Sequence, residues 1–241
     1  MKSLTAKHLF VCIAFASFSI LCVEAVYKFP LFTDARWKNF RDDIPFNIRT
    51  EHMRAALAVQ LRGQGPCPFG AFGAIVVNRT SNEIICTNSG QREAPKNPAL
   101  HAENAALNNC SEIFRTQYGI SNIGQRPDIW NQLDMYATGE PCPMDCGALL
   151  WAKFNTVVWS VSIPKLIEKG FQQMDIQCHE IAETWKENDY PTRWIGYFIE
   201  EEIVPYFSWQ YDQQARCPFG CRRVPSTTVP GTTTCSDDPR Y

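Results

Sequence analysis

Residues 138–154 read TGEPCPMDCGALLWAKF. A Glu-Pro step leads into Cys142, and Cys146 follows after three intervening residues. The run CGALLWAKF reads as a helix with Cys142 at its start. A second stretch, ALHAEN at 99–104, puts His101 and Glu103 at the start of another helix, HAENAALNNCSEIFRTQ, which follows Pro98 and carries Ala102, Ala105, Ala106 and Leu107.

Two helix starts bearing these residue types suggest a metal centre. The N-terminus of a helix carries partial positive charge, which favours a thiolate. Imidazole and thiolate are good zinc ligands, and a catalytic zinc keeps three protein ligands and one open position for water. Bound zinc lowers the pKa of that water to roughly 7. A neighbouring carboxylate then moves protons between water and substrate, and Glu103 is the candidate. Zinc sites usually separate paired cysteines by two residues, so the ligand after Cys142 is open. Cys146 shares a helix face with Cys142 at i, i+4. Asp145 stands at i+3, and carboxylate is an accepted ligand. A Cys142–Cys146 disulfide would need an unwound turn, because Cβ atoms at i, i+4 stand about 5–6 Å apart on a helix.

Outward from these motifs, NIRTEHMRAALAVQLRG has helical spacing at Ile48, Met53, Ala56, Leu57 and Leu61, with Gly63 to stop it. FGAIVVN and NEIICTN form a β-hairpin with Asn78 at the tip. DMYAT and TVVWSVSI read as strands, IPKLIEKGF as a short helix, MDI as a brief strand and HEIAETWKE as a helix. The order β-β-α-β-α-β-α-β points to an α/β fold, a mixed sheet covered by helices. Trp151, Trp159 and Trp194 are expected in the core. The Glu200–Glu202 run and the HEIAE segment at His179 are expected as solvated faces, since HEIAE lacks the second histidine of a zinc-protease helix.

The 241 residues carry a net charge of −2, so no basic face for DNA or RNA is expected. Residues 1–25 have the pattern of a secretory signal peptide: Lys2 and Lys7, an apolar run from Leu9 to Val23, then small residues ending at Ala25. The run is shorter than a spanning helix, so no membrane association is expected after cleavage, and the protein is expected to be extracellular. Asn78-Arg79-Thr80 and Asn109-Cys110-Ser111 are glycosylation acceptors in form. Eleven cysteines include two in the signal. Of the nine others an odd one is left by pairing, or some bind metal. Cys67, Cys86, Cys110, Cys178, Cys217, Cys221 and Cys235 are disulfide candidates whose partners spacing does not assign. The expected organisation is a signal peptide at 1–25, an irregular lead-in at 26–47, a domain at 48–205, and at 206–241 a Cys- and Ser/Thr/Pro-containing tail, flexible towards its end.

Together, HAE at 101–103 and PCPMDC at 141–146 resemble the H-x-E…P-C-x-x-C signature of zinc deaminases. The chain is similar to the cytidine/deoxycytidylate deaminase superfamily, in the branch of guanine and tRNA-adenosine deaminases, and looks most like its secreted fungal members. The likeness runs from CPFGAFGAIVVN through EPCPMDCGALLWAKF to SIPKLIEKGFQQMDI. It implies a three-layer α/β/α domain with a mixed central sheet and zinc between two helix starts. His101 and Cys142 would be ligands, completed by Asp145 or Cys146. Zinc hydroxide would attack the ring carbon bearing the amine, with Glu103 as proton shuttle. Ala102 N–H would hold a carbonyl of the base, Asn88 would bond ring or sugar, and Phe69 would line the pocket. The substrate would be a nucleobase or nucleoside, purine-type rather than cytidine, and the protein would pair as a homodimer. Read without a gap, the family's second cysteine falls on Asp145, with Gly147, Ala148 and Trp151 in register. The alternative function is therefore a non-catalytic secreted binding protein on the same scaffold.

Overall fold

The computed structural model describes residues 44–89, 97–185 and 191–240. The expected signal peptide and most of the lead-in lie outside them. Strand β1 (Gly73–Asn78) pairs antiparallel with β2 (Ile84–Ser89) and with β3 (Leu133–Gly139). Parallel pairing then adds β4 (Thr156–Val161) and β5 (Arg193–Ile195), giving one mixed sheet in the order β2-β1-β3-β4-β5.

Successive side chains of a strand point to opposite faces, and here both faces are covered. On one face Ala74, Val76, Met135, Ala137, Val157, Trp159 and Trp194 share a core with helices α2 (Ala102–Thr116), α3 (Pro127–Trp130), α4 (Pro143–Ala152) and α6 (Cys178–Thr184). On the other, Ile75, Val77, Tyr136, Val158 and Ile195 pack under α1 (Phe46–Gln64) and Leu166 of α5 (Ile163–Glu168). Burial on both faces explains why apolar residues fill most positions of β1, β3 and β4, with Asp134, Thr138, Thr156 and Ser160 buried among them. The architecture is the expected three-layer α/β/α arrangement. A Cβ on Gly73 would lie 2.2 Å from the Ala56 carbonyl oxygen, so only glycine lets α1 approach β1 so closely.

Several expectations are corrected. α1 begins at Phe46, inside the expected lead-in, and ends before Gly65, whose φ is +78°. MDI is not a strand: Met174 and Ile176 are exposed and pair with nothing in the sheet. The fifth strand is Arg193–Ile195, hydrogen-bonded beside β4. Trp159 and Trp194 are in the core, but Trp151 is 74% exposed and stacks edge-on to Trp185. Glu200 is not simply solvated, because it accepts the Ser162 N–H (3.1 Å), and Glu202 pairs with Arg54 at 2.6 Å.

The expected tail is a structured unit. Beyond α7 (Glu200–Ile203), strands β6 (Cys221–Pro225) and β7 (Thr233–Asp237) form an antiparallel hairpin. Its physical reason is covalent: Cys217–Cys235 closes it and Cys67–Cys221 ties it to the segment before β1. Cys86–Cys110 joins β2 to α2, and Cys146–Cys178 joins α4 to α6. Among the described residues no helix is long and apolar enough to cross a membrane.

Candidate metal centre and pocket

The segments before β1 and before α2, after β3 and after α5 all meet at one end of the sheet, outside the carboxyl ends of its parallel strands. There they enclose a cavity of about 530 Å³. His101 is the residue capping the N-terminus of α2, and Cys142 caps α4. Both have extended backbone (ψ 171° and 169°), and each carbonyl accepts the first helical hydrogen bond, from Ala105 and Cys146 respectively. Neither side chain caps its own helix, so both are free to meet above the two converging N-termini.

Asp145, in the first turn of α4, joins them. Its Oδ2 lies 2.7 Å from His101 Nδ1 and accepts from Cys142 Sγ at 3.0 Å, while Sγ and Nδ1 are 3.6 Å apart. This is the one group of three or more potential metal ligands among the described residues. Metal bonds of about 2.0–2.3 Å reach all three corners of such a triangle from one point. Asp145 is buried, and its Oδ1 has no hydrogen-bond partner. An orphaned, buried carboxylate oxygen beside an imidazole and a thiol is a donor set that suits zinc.

Cys146 is corrected as a candidate ligand. It is fully buried and bonded to Cys178, so its sulfur cannot join His101 and Cys142. One further residue round the helix turns it towards α6, whereas Asp145 faces the cavity. The Cys142–Cys146 bond is likewise ruled out, and Cys142 is the free thiol among the described cysteines.

Burial, reinforced by the Asp145 carboxylate, pushes the Cys142 thiol up to about 12. Burial, reinforced by the same carboxylate, pushes Glu103 up to about 8. Both Glu103 and Ala102 line the cavity. Ala102 N–H is among the first-turn amides that have no acceptor within their own helix.

Phe69 lines the cavity with Phe72, Phe171 and Tyr211. Asn88 does not line it. Its amide donates to the Ala105 carbonyl (3.3 Å), and its oxygen accepts the Ser89 N–H (2.9 Å). Glu140 was quoted in the motif but given no role by the sequence. Its two carboxylate oxygens accept the N–H groups of Ile163 (2.8 Å) and Cys178 (2.9 Å), fastening the starts of α5 and α6 beside the metal site. Its burial raises its pKa, against the effect of those two bonds. The Glu-Pro step before Cys142 was the available signal.

Residues 47–161 match the family model for the cytidine and deoxycytidylate deaminase zinc-binding region. Guanine deaminase of Bacillus subtilis (strain 168) is 25% identical over 166 residues, which cover 66% of this chain and 91% of that protein. A probable cytosine deaminase of Schizosaccharomyces pombe is 26% identical over 162 residues, or 64% of this chain and 88% of that one. A solved structure of guanine deaminase from Nitrosomonas europaea shares the fold with a TM-score of 0.50 at 15% identity, covering 68% of this chain and 82% of that one. The HAE and PCPMDC motifs lie within the matched region: residues 47–161 carry a cytidine and deoxycytidylate deaminase zinc-binding region, and the chain is similar to guanine and cytosine deaminases.

Proposed function

We propose that this chain is a secreted, zinc-dependent hydrolytic deaminase of a nucleobase or nucleoside, purine-type rather than cytidine. The observation that carries the reading is the meeting of His101, Cys142 and Asp145 at two helix starts, with Glu103 buried beside them on a cavity of about 530 Å³. The guanine deaminase relative supports the purine preference. Four disulfides suit an oxidising compartment, in keeping with the signal-peptide pattern at 1–25.

His101 Nδ1, Cys142 Sγ and an oxygen of Asp145 would hold the zinc. The chemistry a bound zinc supplies is activation of water at neutral pH. The chain's own residues do the rest. The aromatic side chains of the cavity exclude solvent and take the flat face of a base. Ala102 N–H orients a ring carbonyl. In the net reaction the water oxygen bonds to the ring carbon and the carbon–nitrogen bond breaks. Glu103 carries the protons of the water, first to the adjacent ring nitrogen and then to the amine, which leaves as ammonia.

The test joins metal analysis of protein purified without chelator to ammonia release from guanine, adenine, cytosine and their nucleosides. About one zinc per chain and turnover of a purine are expected. Glu103→Gln should retain zinc and lose roughly 10²–10⁴-fold in kcat. A metal-free protein that binds bases without turnover would instead support the non-catalytic binding scaffold. Undiminished turnover in Glu103→Gln would remove the shuttle role.

A further inference from the structure

The wall of the cavity opposite the metal donors comes partly from beyond the deaminase motifs. Tyr211 lines the cavity, with its ring edge-on to Phe69 at 5.7 Å and to Phe171 at 5.3 Å. Gly170, with φ of +92°, makes room for it: a Cβ there would stand 2.8 Å from Tyr211 Cβ and Cγ. Residues 208–220 contain no helix or strand, so something else must fix Tyr211.

That something is the C-terminal hairpin. Arg223, on β6, brings Nη2 within hydrogen-bond distance of three carbonyls of this loop, those of Trp209 (3.3 Å), Asp212 (2.6 Å) and Ala215 (2.7 Å). Thr233, on β7, donates its N–H to Gln213 at 2.6 Å. Cys221, two residues from Arg223, is bonded to Cys67, two residues from Phe69. One hairpin thus holds both the loop carrying Tyr211 and the loop carrying Phe69. The second CPFG sequence, at 217–220, is the turn that leads into it.

Resting on the deaminase reading above, we propose that the C-terminal hairpin is part of the substrate site: Arg223 and the Cys67–Cys221 bond hold Tyr211 and Phe69 as an aromatic rim, and Tyr211 sets affinity for the planar base. Arg223 is then a positioning residue, acting through Tyr211. Stacking on an aromatic side chain is sequence-tolerant and needs no charge, which suits a rim of ring faces and edges.

The experiment compares Tyr211→Ala, Tyr211→Phe, Arg223→Gln and their combinations on the full chain with zinc content monitored. Tyr211→Ala should raise KM for the turned-over base about 10-fold, leave kcat within about 2-fold and keep the zinc. Tyr211→Phe should restore the wild-type KM. Arg223→Gln should raise KM in wild type but add nothing in the Tyr211→Ala background, since both changes remove one interaction. If Arg223→Gln does not fold, Gln213→Ala, which removes the acceptor of the Thr233 N–H on the loop carrying Tyr211, serves in its place with the same expected non-additivity. An unchanged KM in Tyr211→Ala, or independent effects of Tyr211 and the hairpin, would overturn the proposal. Calorimetric binding of guanine and adenine separates the two readings. Wild type that binds a base without turnover, and loses affinity in Tyr211→Ala, sinks the enzyme and keeps the rim. Turnover unaffected by Tyr211→Ala keeps the enzyme and sinks the rim, and a wild type that binds neither base sinks both.

Discussion

Breaking the Cys146–Cys178 bond tests how this domain divides its cysteines. The bond closes a loop of 32 residues. Freeing that loop in the unfolded chain costs about 4 kcal/mol of stability by the chain-entropy relation. Both sulfurs are fully buried, so replacing them with alanine adds on the order of 1 kcal/mol for the space left behind. For a chain of this size each kcal/mol moves Tm by about 2–4 °C, so Cys146→Ala/Cys178→Ala should melt roughly 10–20 °C lower than wild type. Denaturant unfolding and zinc analysis should be run on the double and both single variants. Each single variant breaks the same bond, so each should lose most of the stability and the double little more. None should lose zinc, because neither sulfur faces the metal donors. An asymmetric result would refute the reasoning: zinc lost in Cys146→Ala but kept in Cys178→Ala would make Cys146 the ligand and displace Asp145.

Asp145→Cys places a thiolate at the gapless position of the motif, and zinc should survive a timed chelator challenge longer than in wild type; equal or faster loss would mean that residue 145 does not contact the metal. Glu140→Gln turns one acceptor into a donor facing a buried backbone N–H, at a cost of about 1–3 kcal/mol in denaturant unfolding, and kcat should fall because α5 and α6 lose their fastening beside Cys142. His52 lies buried on α1 against the Tyr136 ring, and burial lowers its pKa below 6.5. The folded protein therefore binds this proton less tightly than the unfolded chain, so its contribution is present above pH 6.5 and lost as pH falls towards the folded value. His52→Gln should flatten the decline in stability between pH 7 and pH 5, and an identical slope would acquit this histidine.

What could be read in advance follows from how much local signal each feature leaves. β1, β3 and β4 were legible because strands buried on both faces are apolar at most positions. His101 and Cys142 were legible because residues at helix starts advertise themselves in short motifs. β5 was not: three residues, one of them Arg193, hold too little pattern to separate from a loop, and MDI imitated it. Beyond Asp145, α4 carries no charged or polar side chain, so nothing local told that Leu149 and Leu150 are buried while Trp151 stacks on Trp185 outside. Tyr211 lies about 70 residues beyond Cys142 in a segment whose composition suggests a loose tail. The disulfide to Cys67, the reach of Arg223 and the Thr233–Gln213 bond hold it at the cavity, and all are contacts between residues distant in sequence.

The odd number of cysteines left one thiol outside the disulfides or assigned some to a metal. Nine lie beyond residue 25, and eight of them form four bonds that tie β2 to α2, α4 to α6, and the C-terminal hairpin to itself and to the loop before β1. Each of those joins two elements. The ninth, Cys142, sits where a disulfide would be useless and a metal bond is not, at a helix start, facing an imidazole and a carboxylate. Asp145 completes that set without a thiol, so the donor triangle contains a single sulfur and its neighbour Cys146 is committed elsewhere. The disulfide-bonded Cys146 and the cavity-lining Asp145 are thereby neighbours in the chain that point in different directions from α4. The insertion-like spacing of PCPMDC is thus two overlapping instructions, Cys142 and Asp145 for the cavity and Cys146 for the core.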